Sequence, residues 1–288
     1  MKKHITALII SVLLVMRLLG CTQKSEIVPT EVFQSDPAVI ATESVPPESS
    51  EASDTSPDKP PQTEAVITFE TPAGSYLLRY DSQSTEDYLD YYLFIPENAD
   101  YGMPLIVFLH GDGEVGNPEI LKNYGLIEKV REIYGENFPF IVISPSTRVA
   151  SWTAGTIPLT LKELIDHIAE TYATGSIIIT GHSRGAMGVW YMISEYGDYF
   201  SAAVPISCGT GTDLDLSECA KVPVLAFAGT IGEYENKYAR RMDRIVSQIT
   251  EAGGDANLII LDQADHSATA TEAFTEETIN WIISHNKE

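Results

Sequence analysis

The segment 181–185 reads GHSRG and sets Ser183 between two glycines. An apolar stretch ends directly before it, and small residues that suit a helix follow it. A tight turn from a strand into a helix pushes the serine hydroxyl out beyond the strand, and the N-terminus of the helix favours negative charge there. Glycine at positions 181 and 185 avoids clashes between strand and helix in such a turn. The pattern therefore predicts Ser183 as a nucleophile for acyl transfer.

A serine hydroxyl is a weak nucleophile and needs a general base. The chain has six histidines, and we predict His266 for this role because it follows the last apolar run by a few residues. The others occupy the chain ends, the middle of a predicted helix or the loop motifs themselves. They are His4, His110, His167, His182 and His285.

The elements that must position these residues alternate along the chain. Apolar runs predict strands at 104–110, 138–145, 176–181, 202–207, 222–229 and 256–262. Amphipathic stretches predict helices at 119–134, 159–173, 185–196, 236–252 and 271–283. Such alternation indicates an α/β class with a mostly parallel sheet, buried on both faces. Ligand sites in such sheets lie beyond the carboxyl ends of the strands. Three earlier segments, 65–70, 75–80 and 88–95, predict an antiparallel edge.

The N-terminus carries a targeting pattern. A basic start and an apolar run of about a dozen residues suit the core of a signal peptide and are too short to span a bilayer. The run ends in LLGC, which resembles the lipobox of bacterial lipoproteins and implies that Cys21 is lipidated and anchors the chain to a membrane outside the cytoplasm. Ordinary secretion, with Cys21 removed, is the alternative. We therefore expect a signal peptide at residues 1–21.

Residues 22–64 are rich in Pro, Ser, Thr and Glu and predict a disordered tether. Residues 65–288 are then expected to form one catalytic domain. The chain has a net charge of −23, which disfavours nucleic acid as a partner.

The order of strands and helices resembles the α/β-hydrolase superfamily over nearly all of residues 65–288. The turn at 110–116 reads HGDGEVG and resembles the HGxGExG motif of small esterases and predicted peptidases. The resemblance implies an oxyanion hole made by the backbone N–H groups of Asp112 and Arg184, with Gly111 or Gly113 as the alternatives to Asp112. It also implies the chain order serine, acid, histidine, with no metal and no cofactor. The segment between the strands 202–207 and 222–229 is too short for a lid domain.

The acid that orients His266 is open at this stage. The superfamily usually places it after the strand that precedes the histidine, but Gly232 stands where an aspartate is expected. Glu233, one residue further on, is the first choice. Asp213 and Glu235 are alternates, and a dyad without an acid is a further possibility.

Several other residues have expected roles. His110 and Trp152 are expected to line the substrate pocket, although an isolated Trp152 is equally typical of a core. Arg184 is expected to attract a substrate carboxylate or to pair with Glu114. Two remaining cysteines either form a disulfide or are buried free thiols. They are Cys208 and Cys219.

These features together predict a serine hydrolase that cleaves carboxylic esters, either small soluble esters or acetyl and feruloyl groups on polysaccharides. Two alternatives remain open. One is a serine peptidase of the same fold, and the other is a binding lipoprotein that has lost the acid and its catalysis.

Overall fold

The computed structural model describes residues 71–210 and 213–286. The signal segment, Cys21, the tether and the predicted strand 65–70 lie outside these residues. The strands are β1 Gly74–Asp81, β2 Tyr88–Ile95, β3 Leu105–Leu109, β4 Ile141–Ser146, β5 Ile177–His182, β6 Ala202–Ile206, β7 Val224–Gly229 and β8 Ala256–Leu261. The α-helices are α1 Leu126–Tyr134, α2 Ile157–Thr171, α3 Arg184–Glu195, α4 Leu216–Cys219, α5 Glu233–Glu251, α6 Thr269–Glu272 and α7 Glu276–Ser284. Short 3₁₀ helices span Pro118–Asn123 and Gly197–Tyr199.

The eight strands form one sheet in the order β1-β2-β4-β3-β5-β6-β7-β8. The pairs β1–β2 and β2–β4 are antiparallel, and every other pair is parallel. This confirms the mostly parallel sheet and its antiparallel edge. Because the parallel strands share one direction, the loops after β3, β5, β6, β7 and β8 meet at a single edge.

The sheet is covered on both faces, and alternation along a strand explains how. Leu105, Val107 and Leu109 of β3 pack into the cluster that includes α2, α3 and α5. Ile106 and Phe108 of the same strand pack on the opposite side with α1 and α7. Successive side chains of a strand point to opposite faces, so a continuous apolar run fills two cores at once.

Two predicted helices are wrong as single elements. The stretch 119–134 is divided into a 3₁₀ helix and α1 by Gly125, which has φ 64°. A Cβ at this glycine would lie 2.2 Å from the Phe108 ring, so close packing on the sheet also requires glycine. The stretch 271–283 is divided into α6 and α7. Helix α5 begins at Glu233, three residues before its predicted start.

None of the helices within the part of the chain that the structure describes is long and apolar enough to cross a membrane.

Candidate active site

Ser183 lies in a sharp turn between β5 and α3. Its backbone has φ 56° and ψ −116°, an unusual conformation for a residue with a side chain. A Cβ at Gly181 would lie 2.7 Å from the carbonyl carbon of Gly185, and one at Gly185 would lie 2.0 Å from the Leu109 carbonyl oxygen. The structure thus confirms that both glycines allow the strand and the helix to approach each other.

His266 lies on the loop after β8 and contacts the serine directly. Its Nε2 is 2.9 Å from Ser183 Oγ, which is hydrogen-bond distance. Both residues are partly exposed, so a substrate can reach the pair from solvent. The arrangement suits transfer of the serine proton to the imidazole during nucleophilic attack.

The other imidazole nitrogen of His266 contacts Glu235. Nδ1 lies 2.6 Å from Glu235 Oε1, and the carboxylate is fully buried. Oε2 accepts hydrogen bonds from the Gly229 N–H at 2.6 Å and from Ser207 Oγ at 2.9 Å. Burial alone would raise the pKa of Glu235, but the hydrogen bonds from His266, Gly229 and Ser207 outweigh it and hold the pKa below its ordinary value. The carboxylate is therefore ionised at neutral pH, opposite His266.

The expectation that Glu233 orients His266 is wrong. Glu233 is the first residue of α5 and is exposed to solvent. Two residues along an α-helix are separated by about 200° around its axis, so Glu235 faces the interior when Glu233 faces water. Asp213 is also exposed, and it lines a groove with Arg241 and Arg244 instead of contacting the histidine.

Ser207 supports the acid and was not foreseen from the sequence. It is fully buried directly after β6 and has φ 54°, which turns its side chain toward the acid. Ser207 Oγ lies 2.7 Å from Thr269 Oγ1, and Thr269 donates to the His266 carbonyl at 2.9 Å. The acid and the backbone of the histidine thus belong to one buried hydrogen-bond network.

His182, which directly precedes the nucleophile in GHSRG, supports His266 from the buried side. Its Nε2 donates to the His266 carbonyl at 2.7 Å, and its Nδ1 accepts from the Tyr124 hydroxyl at 3.1 Å. Burial first, and then the nearby His266, lower the pKa of His182 to about 4. A neutral ring at this position holds the histidine loop against the nucleophile turn. A polar ring within a nucleophile motif is the only sequence signal for this role.

The turn after β3 lies against the nucleophile. A Cβ at Gly111 would lie 3.4 Å from Ser183 Cβ, so the backbone of this turn lies beside the Ser183 side chain. Arg184 is the first residue of α3, so its N–H has no acceptor within the helix. The N–H groups of Asp112 and Arg184 are thus candidates to bind an oxyanion beside Ser183.

Arg184 has a different partner from those expected. Its Nε lies 2.8 Å from Asp112 Oδ1, and its Nη1 donates to the Ala150 carbonyl at 2.7 Å. The side chain therefore holds the turn after β3, residues 110–116 (the oxyanion turn), against the loop after β4. It does not pair with Glu114, and its charge is already matched by Asp112.

His110 and Trp152 do not line a pocket, contrary to expectation. His110 is fully buried, with Nδ1 donating to the Gly111 carbonyl at 2.6 Å and Nε2 accepting from the Thr147 N–H at 3.1 Å. Burial lowers the pKa of His110 to about 4. Trp152 is buried and donates to the His110 carbonyl at 3.0 Å. Both residues fix the shape of the oxyanion turn from beneath.

Cys208 and Cys219 are buried free thiols, so the disulfide alternative is wrong. Cys208 Sγ donates to the Gly209 carbonyl, whereas Cys219 ends α4 and packs in the core. Burial raises the pKa of Cys208 to about 11, which keeps it in the thiol form. Within residues 71–210 and 213–286, no three His, Cys, Asp or Glu side chains are grouped as a metal site.

Solved structures with a similar backbone include several hydrolases. A thermostable esterase has a TM-score of 0.65 and 22% identity, over 74% of this chain and 63% of its own. The feruloyl esterase module of Clostridium thermocellum, complexed with sinapinate, has a TM-score of 0.55 and 15% identity, over 68% of this chain and 83% of its own. An S-formylglutathione hydrolase of Agrobacterium tumefaciens has a TM-score of 0.55 and 15% identity, over 74% and 95% of the two chains.

The chain has the α/β-hydrolase fold. Identities at this level establish a shared fold, while activity depends on the site that the fold carries. No family model matches the sequence. An uncharacterized secreted protein of Arthroderma benhamiae is 31% identical over 113 residues, which are 36% of this chain and 12% of that protein. The match therefore spans about one eighth of the relative's length.

Proposed function

We propose that this chain is a serine hydrolase that cleaves carboxylic esters. The observation that carries the proposal is the continuous line of contacts from Ser183 Oγ through His266 to Glu235, with distances of 2.9 Å and 2.6 Å. A nucleophile, a base and an orienting carboxylate in this order are the requirements of acyl transfer through a covalent intermediate. The esterases among the structural neighbours agree with this activity.

The first half of the reaction forms an acyl-enzyme. Ser183 Oγ attacks the ester carbonyl while His266 Nε2 takes the serine proton. The negative charge that develops on the carbonyl oxygen is stabilised by the N–H groups of Asp112 and Arg184. Loss of one such donor typically costs about 3–4 kcal/mol in the transition state. When the tetrahedral intermediate collapses, His266 passes the proton to the leaving alkoxide and the alcohol departs.

The second half returns the enzyme to its starting state. His266 takes a proton from water, and the resulting hydroxide attacks the acyl carbon in the same oxyanion hole. Collapse expels Ser183 Oγ, which recovers the proton from His266, and the carboxylic acid is released. Throughout both halves the ionised Glu235 holds Nδ1–H and stabilises the imidazolium.

Labelling with a fluorophosphonate tests the proposal at the serine itself. We expect one adduct on Ser183 at neutral pH and hydrolysis of p-nitrophenyl acetate, both lost in the matched variant Ser183→Ala. Absence of the adduct and of ester hydrolysis in the wild-type chain would overturn the proposal. Faster cleavage of aminoacyl anilides than of esters would identify a peptidase instead. The non-catalytic alternative depended on a missing acid and is less supported, because Glu235 supplies a carboxylate to His266.

We also propose that the enzyme is a lipoprotein held outside the cytoplasm. The signal pattern that ends at Cys21 supports both the anchor and the location, whereas the secreted character of the Arthroderma relative supports the location alone. Mass spectrometry of the mature N-terminus tests it. We expect a diacylglyceryl group on Cys21, and an unmodified N-terminus at another residue would overturn the anchor.

A further inference from the structure

Two tyrosine rings extend outward from His266 along the first turns of α5. The Tyr238 ring centroid lies 5.4 Å from that of His266, and the Tyr234 ring is stacked on Tyr238 at 6.3 Å. Tyr238 is half-buried, whereas Tyr234 is 69% exposed. Ile231, in the preceding turn, is also exposed at 45%. Single exposed apolar side chains are ordinary, but here two adjoining aromatic rings lead from solvent to one reacting group.

The chemistry of the site indicates which part of the ester, the acyl group or the alcohol, lies next to this pair of rings. In ester cleavage His266 gives its proton to the oxygen of the leaving alcohol, so the alcohol must lie beside His266 Nε2. The acyl group stays on Ser183, between the base and the oxyanion turn. The ring neighbour of His266 on its exposed side is Tyr238, followed by Tyr234. A substituent on the alcohol therefore extends toward these two tyrosines.

We infer that Tyr234 and Tyr238 form a stacking platform for a ring carried by the alcohol part of the substrate, an inference that rests on the proposed function. Flat aromatic faces bind rings that present an apolar face, either an aryl ring or the C–H face of a sugar ring. The platform is open to solvent, so the ring can belong to a small molecule or to a polymer.

Kinetics with three acetate esters test the inference, because they share one acyl group and differ only in the primary alcohol. The esters are 6-O-acetylglucose, benzyl acetate and ethyl acetate, which has no ring. We expect Tyr234→Ala and Tyr238→Ala to lower kcat/KM for a ring-bearing ester about three- to tenfold relative to ethyl acetate, mainly through KM. Tyr234→Phe keeps the ring and retains the wild-type ratio. Tyr101→Ala is the matched control, since this exposed tyrosine precedes β3 at the opposite edge of the sheet.

The outcomes answer two questions, namely which kind of ring binds and whether the two tyrosines bind a ring at all. A selective loss on the glucose ester identifies a sugar, and a selective loss on the benzyl ester identifies an aryl alcohol. An equal change on all three esters, or no change, overturns the platform.

Binding to the inactive Ser183→Ala variant keeps this test independent of catalysis. Saturation-transfer NMR on that variant should show contact with the ring protons of 6-O-acetylglucose or benzyl acetate, and Ser183→Ala/Tyr234→Ala should lose it. Contact that survives the loss of Tyr234 overturns the platform, whereas absence of hydrolysis by the wild-type chain overturns only the proposed function.

Discussion

The two sides of His266 differ in how they are built. On the buried side, Glu235 is fully enclosed and its carboxylate accepts three hydrogen bonds, from His266, Gly229 and Ser207. On the exposed side, the Arg184–Asp112 pair and the tyrosines are in contact with solvent. Buried hydrogen bonds to a charge are strong, and exposed ion pairs contribute little. The buried side therefore sets the geometry of the reaction, and the exposed side is free to set which substrate binds.

Removal of the buried acid should have the largest effect. We expect Glu235→Gln to lower kcat for ester hydrolysis about 10³- to 10⁴-fold, because the histidine loses the partner that fixes its orientation and charge. Glu233→Gln, two residues away on the exposed face of α5, is the matched control and should stay within about twofold of wild type. Steady-state kinetics with p-nitrophenyl acetate measures both. A large loss in Glu233→Gln with activity retained in Glu235→Gln would reverse the assignment.

Acidification should lower the free energy of unfolding, because two buried histidines are neutral in the folded chain. His110 and His182 each have a pKa of about 4 in the folded chain, against an ordinary value near 6.5. The unfolded chain therefore binds more protons between these pH values, and the free energy of unfolding falls as the pH is lowered through this window. We expect a loss of about 2 kcal/mol per histidine between pH 7 and pH 5. The pKa of Glu114, which burial raises, acts in the opposite direction.

Urea unfolding at the two pH values measures this loss. The variant His182→Gln should show a smaller difference between pH 7 and pH 5 than wild type, whatever its absolute stability. An unfolding free energy that is unchanged or higher at pH 5 would contradict the neutral state of the two buried histidines.

Loss of the support behind the acid should have an intermediate effect. Ser207→Ala removes one hydrogen bond to the Glu235 carboxylate, which is worth about 1–3 kcal/mol to a charged group. We expect kcat to fall roughly tenfold, because a carboxylate held by fewer hydrogen bonds orients His266 less well. An equal further loss when Ser207→Ala is added to Glu235→Gln would indicate a packing defect instead. Thermal unfolding of the same variant provides the control for folding.

The clamp on the oxyanion turn should have the smallest effect. Arg184 and Asp112 form an exposed pair, with side chains 45% and 58% accessible, so their coupling in a double-mutant cycle should be about 0.2–1 kcal/mol. We expect Arg184→Met to lower kcat a few fold and to leave KM for a neutral ester unchanged, since the backbone N–H donors remain. A coupling energy as large as that of a buried ion pair would contradict this, and would mean that Arg184 helps to set the geometry of the reaction.

The sequence predicts the buried side less well than the fold. Chain order and apolar runs were enough for the strands, and the turn motif together with the position of His266 was enough to bring nucleophile and histidine to one edge. The acid depended on where α5 begins, and a shift of one residue rotates a side chain by about 100°. Gly232, with φ 99°, begins that helix at Glu233 and so turns Glu235 inward.

Supporting residues are harder still to foresee. Ser207 acts through a positive φ and contacts with residues far along the chain, and neither leaves a local pattern. Trp152 and His110 have residue types that are common in pockets, but packing against Gly188 and Thr147 buries both. Their burial results from long-range contacts that the spacing of residues does not report.

The contact between Gly185 and the Leu109 carbonyl has a consequence for how such a site can diversify. It joins the helix that begins at the nucleophile to the strand that delivers the oxyanion turn, backbone against backbone. The distance between Ser183 and the oxyanion turn is therefore set by main-chain contacts. It does not depend on any side chain that faces the substrate. Substitutions at Tyr234 or its neighbours can alter what is bound while the spacing that drives catalysis is inherited unchanged.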